Sequence, residues 1–325
     1  MLYRDFGKTG FQVSAIGLGT WNIGNQWGSI SEPRAIATIR SAIDHGINLI
    51  DTAESYGIPA GLSEERLGKA LVGVRNQVHI VSKIGRWGRR TGQMVPMTTP
   101  DMVRLCTHAS LYRLKTDYID VMLCHEGKLS DPHMADAYLD GFEQLQQQGL
   151  IRTFGISTDR LEVLELFNAR NTCRVVEVDY SLLSRNPEKA FFPYCQKHNI
   201  AVLARGPLHK GLLSGKYTSA SVFTDTVRAE WYKSEQSKAK LARKLMKVEN
   251  LRVALAANEE TTEAMVNAAL RFVTSHEIAP VAIAGAKSPS QATTNARAGQ
   301  SQLSPEERAQ LIQQTKLRGT HLAIA

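Results

Sequence analysis

The 325-residue sequence is short of the features that mark most specialised protein classes. Its four cysteines, Cys106, Cys124, Cys173 and Cys195, are spread along the chain with no C-x-x-C pair. That spread argues against a disulfide framework and fits free thiols in a reduced compartment. No apolar run approaches the ~20 residues of a membrane span. Residues Met1 to Phe6 contain acid and no apolar core, so no signal peptide is expected and a cytoplasmic location is. Nine histidines show neither H-x-H nor H-E-x-x-H spacing, which gives no footing for a metal-dependent hydrolase. There is no low-complexity segment and no linker rich in proline, glycine or serine. The expectation is one domain spanning residues 1–325.

What is present is an ordinary globular composition, 43% hydrophobic and 22% charged, long enough to bury a large core. The formal charge of +8 is concentrated between Lys233 and Arg252. There Lys240, Arg243, Lys244 and Lys247 suit one solvated face of a helix. No nucleic-acid motif accompanies them.

Short β-rich runs alternate with helical stretches, the pattern of a parallel α/β fold. Strands are expected at Ala15–Gly19, Ile47–Asp51, Val78–Lys83, Tyr118–Cys124, Thr153–Ser157, Arg174–Val178, Ile200–Ala204 and Pro280–Gly285. A helix is expected over Pro33–His45, capped by Ser31 and stopped by Gly46. Others begin near Ser63, at Thr99-Pro100 and before Met134. Eight βα units are the count of a (β/α)8 TIM barrel. Before them, Leu2–Phe6 and Phe11–Ser14 flank Gly7 and Gly10 as a hairpin closing the barrel's bottom. The interval Pro207–Met265 holds a long loop and the basic helix. Ser304-Pro-Glu-Glu307 is a capping box opening the last helix.

Active sites of such barrels lie at the C-terminal ends of the strands. The second strand ends in Asp51, with Tyr56 a short loop later. The third ends in Lys83 and the fourth just before His125. Ser157, Glu177, Arg205 and Gly285–Lys287 end the remaining four. A carbonyl that accepts hydride develops negative charge on oxygen and needs a proton donor. A tyrosine's free pKa, about 10, is high for that task. A nearby ammonium lowers it, so Lys83 is expected to assist Tyr56. Asp51 can hold Lys83, and His125 can orient the carbonyl oxygen.

These residues resemble the catalytic tetrad of the aldo-keto reductases. The resemblance extends through Gly17–Trp21, Leu49–Gly57, Ile80–Ile84, Met122–His125, Arg152–Ser157, Gly211–Tyr217 and Gly285–Ser288. It looks closest to the bacterial and plant branch with inositol-dehydrogenase-like and potassium channel β-subunit-like members. It implies an NADP(H)-dependent oxidoreductase acting on a small carbonyl or alcohol substrate. It also implies an extended dinucleotide across the rim. Gly17-Leu-Gly19 is not a Rossmann fingerprint, for it lacks the third glycine and the following helix. The resemblance implies cofactor contacts from Thr20, Trp21, Gly206, Leu208 and Gly285, with Ser157, Thr158, Glu177 and Arg205 around the nicotinamide and its carboxamide. The segment Gly211–Lys216, with Gly211, Leu212, Ser214 and Lys216, would cover the pyrophosphate. Lys287 and Ser288 would take the 2′-phosphate and Gln291 and Asn295 the adenine side, with Arg228 a further phosphate candidate.

Thr158, Glu177 and Arg205 depart from the family's commoner Asn, Gln and aromatic. A guanidinium plane can also stack on a ring. Trp21, Trp27, Trp87 and Trp231 are candidates to line a substrate pocket. The competing class is a cofactor-binding regulatory subunit like the channel β-subunits, which keep the tetrad.

Overall fold

The computed structural model describes residues 1–89, 91–255 and 261–316. Residues 90, 256–260 and 317–325 of the single-domain expectation, and the part of the Pro207–Met265 interval over 256–260, lie outside the described residues. Strands β1 (Tyr3–Asp5) and β2 (Gln12–Ser14) pair antiparallel as the expected hairpin. Among the described residues eight further strands run parallel and close a barrel. In order they are β3 (Ile16–Gly19), β4 (Leu49–Asp51), β5 (His79–Ile84), β6 (Ile119–Cys124), β7 (Ile151–Ser157), β8 (Val175–Asp179), β9 (Ala201–Arg205) and β10 (Val281–Gly285). Strand β10 returns to pair with β3, Gly285 opposite Gly19.

Helices α1 (Glu32–Asp44), α2 (Leu62–Ala70), α3 (Pro100–Leu114), α4 (Pro132–Gln147), α5 (Leu161–Phe167) and α6 (Phe191–His198) link successive strands. Helices α7 (Glu235–Leu255) and α8 (Thr261–Thr274) lie between β9 and β10, and α9 (Pro289–Ala298) and α10 (Pro305–Gln314) follow. Local chemistry sets their starts. The Thr99 side chain accepts from Met102 N, Asp131 from His133 N, and Ser304 and Glu307 form the reciprocal capping box. Ser31 stands at the expected position before α1 but makes no side-chain cap bond.

Strand alternation divides the core into two layers. Ile50, Ile80, Met122, Ile156, Val176 and Ala282 face the helices and join Ile39, Leu67, Phe142 and Phe167. Leu49, Val81, Leu123, Val175, Leu203 and Ile283 face the barrel axis. Phe6 and Val13 of the hairpin region belong to this inner cluster, and Phe11 packs against it and stacks on His79 at 4.6 Å. The hairpin thus plugs the end where the strands begin. At the other end the same alternation carries each inner apolar residue to a candidate site residue two positions on. Leu49 leads to Asp51, Val81 to Lys83, Leu123 to His125, Val175 to Glu177 and Leu203 to Arg205.

Truncating the plug at Phe6, 3% exposed, removes a ring from the barrel axis. Phe6→Ala is expected to lose about 3–5 kcal/mol of stability in urea denaturation. A loss below ~1 kcal/mol would show that the hairpin only decorates the barrel.

Candidate active site

Lys83 is fully buried at the end of β5. Its Nζ donates to Asp51 Oδ1, to Thr52 O at 2.9 Å and to Tyr56 Oη at 3.2 Å. An ammonium has three hydrogens, and these bonds use them all. Glu177 Oε2 lies 3.4 Å from the same nitrogen but has no hydrogen-bond partner, so it contributes charge alone. Two carboxylates therefore flank one ammonium, a second counter-ion that was not read from the sequence.

Burial works against the Lys83 charge, but Asp51, Glu177 and Tyr56 outweigh it and raise its pKa. Burial pushes the Asp51 carboxyl above its usual range; Lys83 pulls it back and Glu177 pushes it further. Burial likewise raises the Tyr56 phenol, Lys83 lowers it, and Asp51 and Glu177 raise it again. Lys83 thus acts in the expected direction, but burial outweighs it and the net shift is upward. Burial decides the sign, and the two counter-ions offset part of the ammonium's field.

Around Tyr56 the walls are aromatic. Trp21 stacks on it with ring centroids 5.8 Å apart, and His125 meets it edge-on at 6.1 Å. Burial, with Arg86, Lys83 and Arg205 adding to it, holds the His125 pKa well below its ordinary value. The ring is neutral at pH 7 and carries one N–H. Its Nδ1 is buried without a hydrogen-bond partner.

The cleft above these groups has a volume of about 1260 Å³. Asp51, Tyr56 and His125 line it, while Lys83 lies beneath. Trp21, Ser157, Thr158, Glu177, Arg205, Gly206, Leu208, Gly211, Ser214 and Lys216 also line it. So do Gly285, Lys287, Gln291, Asn295, Arg228, Trp27 and Trp231. Thr20 and Leu212 do not; both are fully buried in the packing behind the wall. Ser288 is turned to its helix, accepting from Gln291 N as the cap of α9. Trp87 leaves the cleft to pack under the Arg113 guanidinium at 4.8 Å.

Several predicted residues are engaged within the protein. Thr158 Oγ1 donates its one proton to Gly127 O at 2.9 Å. Arg205 pairs with Asp159 and lies 3.9 Å from Asp179. Asp159, unread from the sequence, also accepts from Asp179 N. Glu54 was missed too, although it sits inside the Leu49–Gly57 motif. Its Oε1 accepts from the backbone N–H groups of Gly85, Arg86 and Trp87 at 2.6, 2.9 and 3.0 Å.

The far end of the cleft is cationic. Lys287 Nζ donates to Trp27 O at 2.6 Å, and burial and then Arg228 lower its pKa. Arg228 pairs with Asp225 at 2.7 Å and donates to Tyr217 Oη at 2.5 Å. Between β9 and these cations the backbone takes left-handed conformations at Gly206, His209, Lys210, Gly211 and Gly215. Such a run at non-glycine residues signals a functional constraint. Lys244 of α7 also lines the cleft. This corrects the expectation that its face is wholly solvated.

The sequence model of the aldo/keto reductase family matches residues 15–314. The aldo-keto reductase YhdN of Bacillus subtilis is 33% identical over 301 residues, which is 90% of this chain and 86% of that protein. Among solved structures, the holo form of a Bacillus halodurans aldo-keto reductase is 30% identical with a TM-score of 0.78, covering 97% of this chain and 96% of that one. A Klebsiella pneumoniae aldo/keto reductase in complex with NADP and acetate is 29% identical, TM-score 0.69, covering 95% and 93%.

Replacing Lys83 by methionine leaves Asp51 and Glu177 buried without their cation. Removing one partner of such a group costs about 3–5 kcal/mol. The Asp51 carboxyl already has its folded pKa raised, so the folded variant prefers the proton. The penalty is therefore full above the folded pKa and shrinks as pH falls toward the unfolded value near 4. Urea denaturation of Lys83→Met at about pH 8 and about pH 5 is expected to show the larger deficit at pH 8. Equal deficits would contradict the pairing.

Proposed function

The chain belongs to the aldo/keto reductase family, and from that premise we propose that it is an NADP(H)-dependent oxidoreductase of small aldehydes, ketones or sugars. Tyr56 is the proton donor in reduction and the acceptor in oxidation. One barrel carries the whole site, so the chain acts as a single domain. The observation that carries the reading is Tyr56 Oη at the cleft surface, bonded to Lys83 Nζ at 3.2 Å.

The residues fit an extended dinucleotide. The neighbouring cations Lys287 and Arg228 suit the 2′-phosphate, and the left-handed backbone from Gly206 to Gly215 suits a pyrophosphate. Gln291 and Asn295 would flank adenine, with Ser157, Glu177 and Trp21 at the nicotinamide end. Bound there, the nicotinamide supplies or accepts the hydride. The rest is done by the chain's own groups. Neutral His125 donates its N–H to the carbonyl oxygen. As the carbon gains hydride, that oxygen becomes an alkoxide. An alkoxide is about as basic as hydroxide, the conjugate base of water with its pKa of about 15.7. It takes the Tyr56 proton even though burial holds the phenol's pKa above its usual value. The phenolate is left beside Lys83, which Asp51 and Glu177 keep charged. Trp21 and the cleft walls keep water from competing.

A paired NADPH and NADH oxidation assay over a panel of aldehydes tests the reading. The wild type is expected to turn over with NADPH preferred. Tyr56→Phe should lose about a hundredfold to ten-thousandfold in kcat while its tryptophan fluorescence still responds to NADPH. Full turnover by the folded variant would refute the assignment. Tight NADPH binding without turnover of any aldehyde by the wild type would favour the regulatory-subunit class instead.

A further inference from the structure

Arg86 follows β5 and lines the cleft, and the proton relay does not use it. Its Nε is buried with no hydrogen-bond partner among the described residues. No carboxylate among the described residues lies within ion-pairing distance of its guanidinium. Glu126 feels the charges of Arg86 and Arg89 but does not pair with either. The residue is only partly buried, so the guanidinium keeps access to the cleft while its Nε is withdrawn from water. An anion in the cleft would complete it.

The guanidinium is also aimed and held. A Cβ built on Gly127 would stand 3.8 Å from Arg86 Nη2, so that nitrogen faces the loop just after His125. The three backbone bonds to Glu54 Oε1 fix the Gly85–Trp87 turn from below. Arg89 and Lys128 line the same side and make it more positive. This is not the dinucleotide's phosphate end. In the closed barrel β5 lies opposite β9, four strands away in either direction, and the Gly206–Lys216 segment follows β9.

We propose that Arg86 is a specificity-determining residue. It selects carbonyl substrates that carry a carboxylate or phosphate a short distance from the reacting carbon. Its planar fork grips the oxyanion while Tyr56 and His125 address the carbonyl oxygen. The inference rests on the oxidoreductase reading and narrows its substrate class.

The test compares kcat/KM, with NADPH, for succinic semialdehyde, glyceraldehyde 3-phosphate and neutral butyraldehyde. Wild type, Arg86→Leu and Arg86→Lys are assayed. The wild type should favour at least one anionic aldehyde over butyraldehyde. In Arg86→Leu that ratio should fall about tenfold to a hundredfold, the range of a hydrogen bond to a charged group, chiefly through KM. Arg86→Lys should restore part of it. The two anionic substrates distinguish carboxylate from phosphate. A ratio within twofold of wild type in Arg86→Leu, or no anionic preference in the wild type, overturns the proposal. Calorimetric titration with succinate at saturating NADP+ gives an answer that needs no turnover. Binding lost in Arg86→Leu supports the anion site even if the oxidoreductase reading fails. Binding equal in both proteins overturns it.

Discussion

The structure turns on one buried ammonium. Lys83 Nζ sits between Asp51 and Glu177 and reaches Tyr56 Oη. Those partners come from the ends of β4 and β8 and from the loop after β4, so the contact ties separated parts of the barrel rim to one point. Burying any of these charges without its partner would cost several kcal/mol or force a change of protonation. Charge compensation has a chemical result as well. With two counter-ions the ammonium stays charged, and burial, helped by those carboxylates, holds the phenol above its usual pKa. That state suits the proposed donation of a proton to a developing alkoxide, and not a resting phenolate.

Alternation along the strands is what makes the arrangement possible. Each functional rim group lies two residues beyond an inner apolar one, as Lys83 follows Val81 and Glu177 follows Val175. The apolar layer excludes water below, and the hairpin residue Phe6 closes the opposite end. Above, the cleft is divided by chemistry. One end joins Lys287, Arg228 and a left-handed backbone run; the other joins Trp21, His125 and Arg86, whose Nε has no partner among the described residues. The charge of the two ends complements the proposed dinucleotide and the proposed anionic carbonyl substrate, with Tyr56 between them.

Much of this was legible in the sequence, for physical reasons. Asp51, Lys83 and His125 end or immediately follow short apolar runs, and a barrel must present such residues on one rim. The capping box at Ser304 and the hairpin around Gly7 and Gly10 are local signals and emerged as expected. Contacts across the barrel axis were not legible. Glu177 meets Lys83 only after closure brings β8, three strands away, across the barrel from β5, so its place as counter-ion could not be read, nor could the burial that sets the sign of the Tyr56 shift. The Arg205–Asp159 pair and the anchoring of the Gly85–Trp87 turn by Glu54 depend on tertiary placement in the same way. Thr20 and Leu212 were carried over from family motifs, but packing turns them behind the cleft wall. Helical periodicity put Lys244 on a solvated face because it cannot register a neighbouring loop that folds over the helix.

Glu177, with Asp51, adds to burial in holding the Tyr56 phenol above its usual pKa. The most direct measurement is the pH dependence of kcat for aldehyde reduction in wild type and Glu177→Gln. Reduction needs the phenol protonated, so activity falls as pH rises through its pKa. Removing one negative charge beside Tyr56 favours the phenolate. The account predicts that the alkaline limb of the profile moves to lower pH in Glu177→Gln. An unmoved limb in a folded variant, or one moved to higher pH, would contradict it.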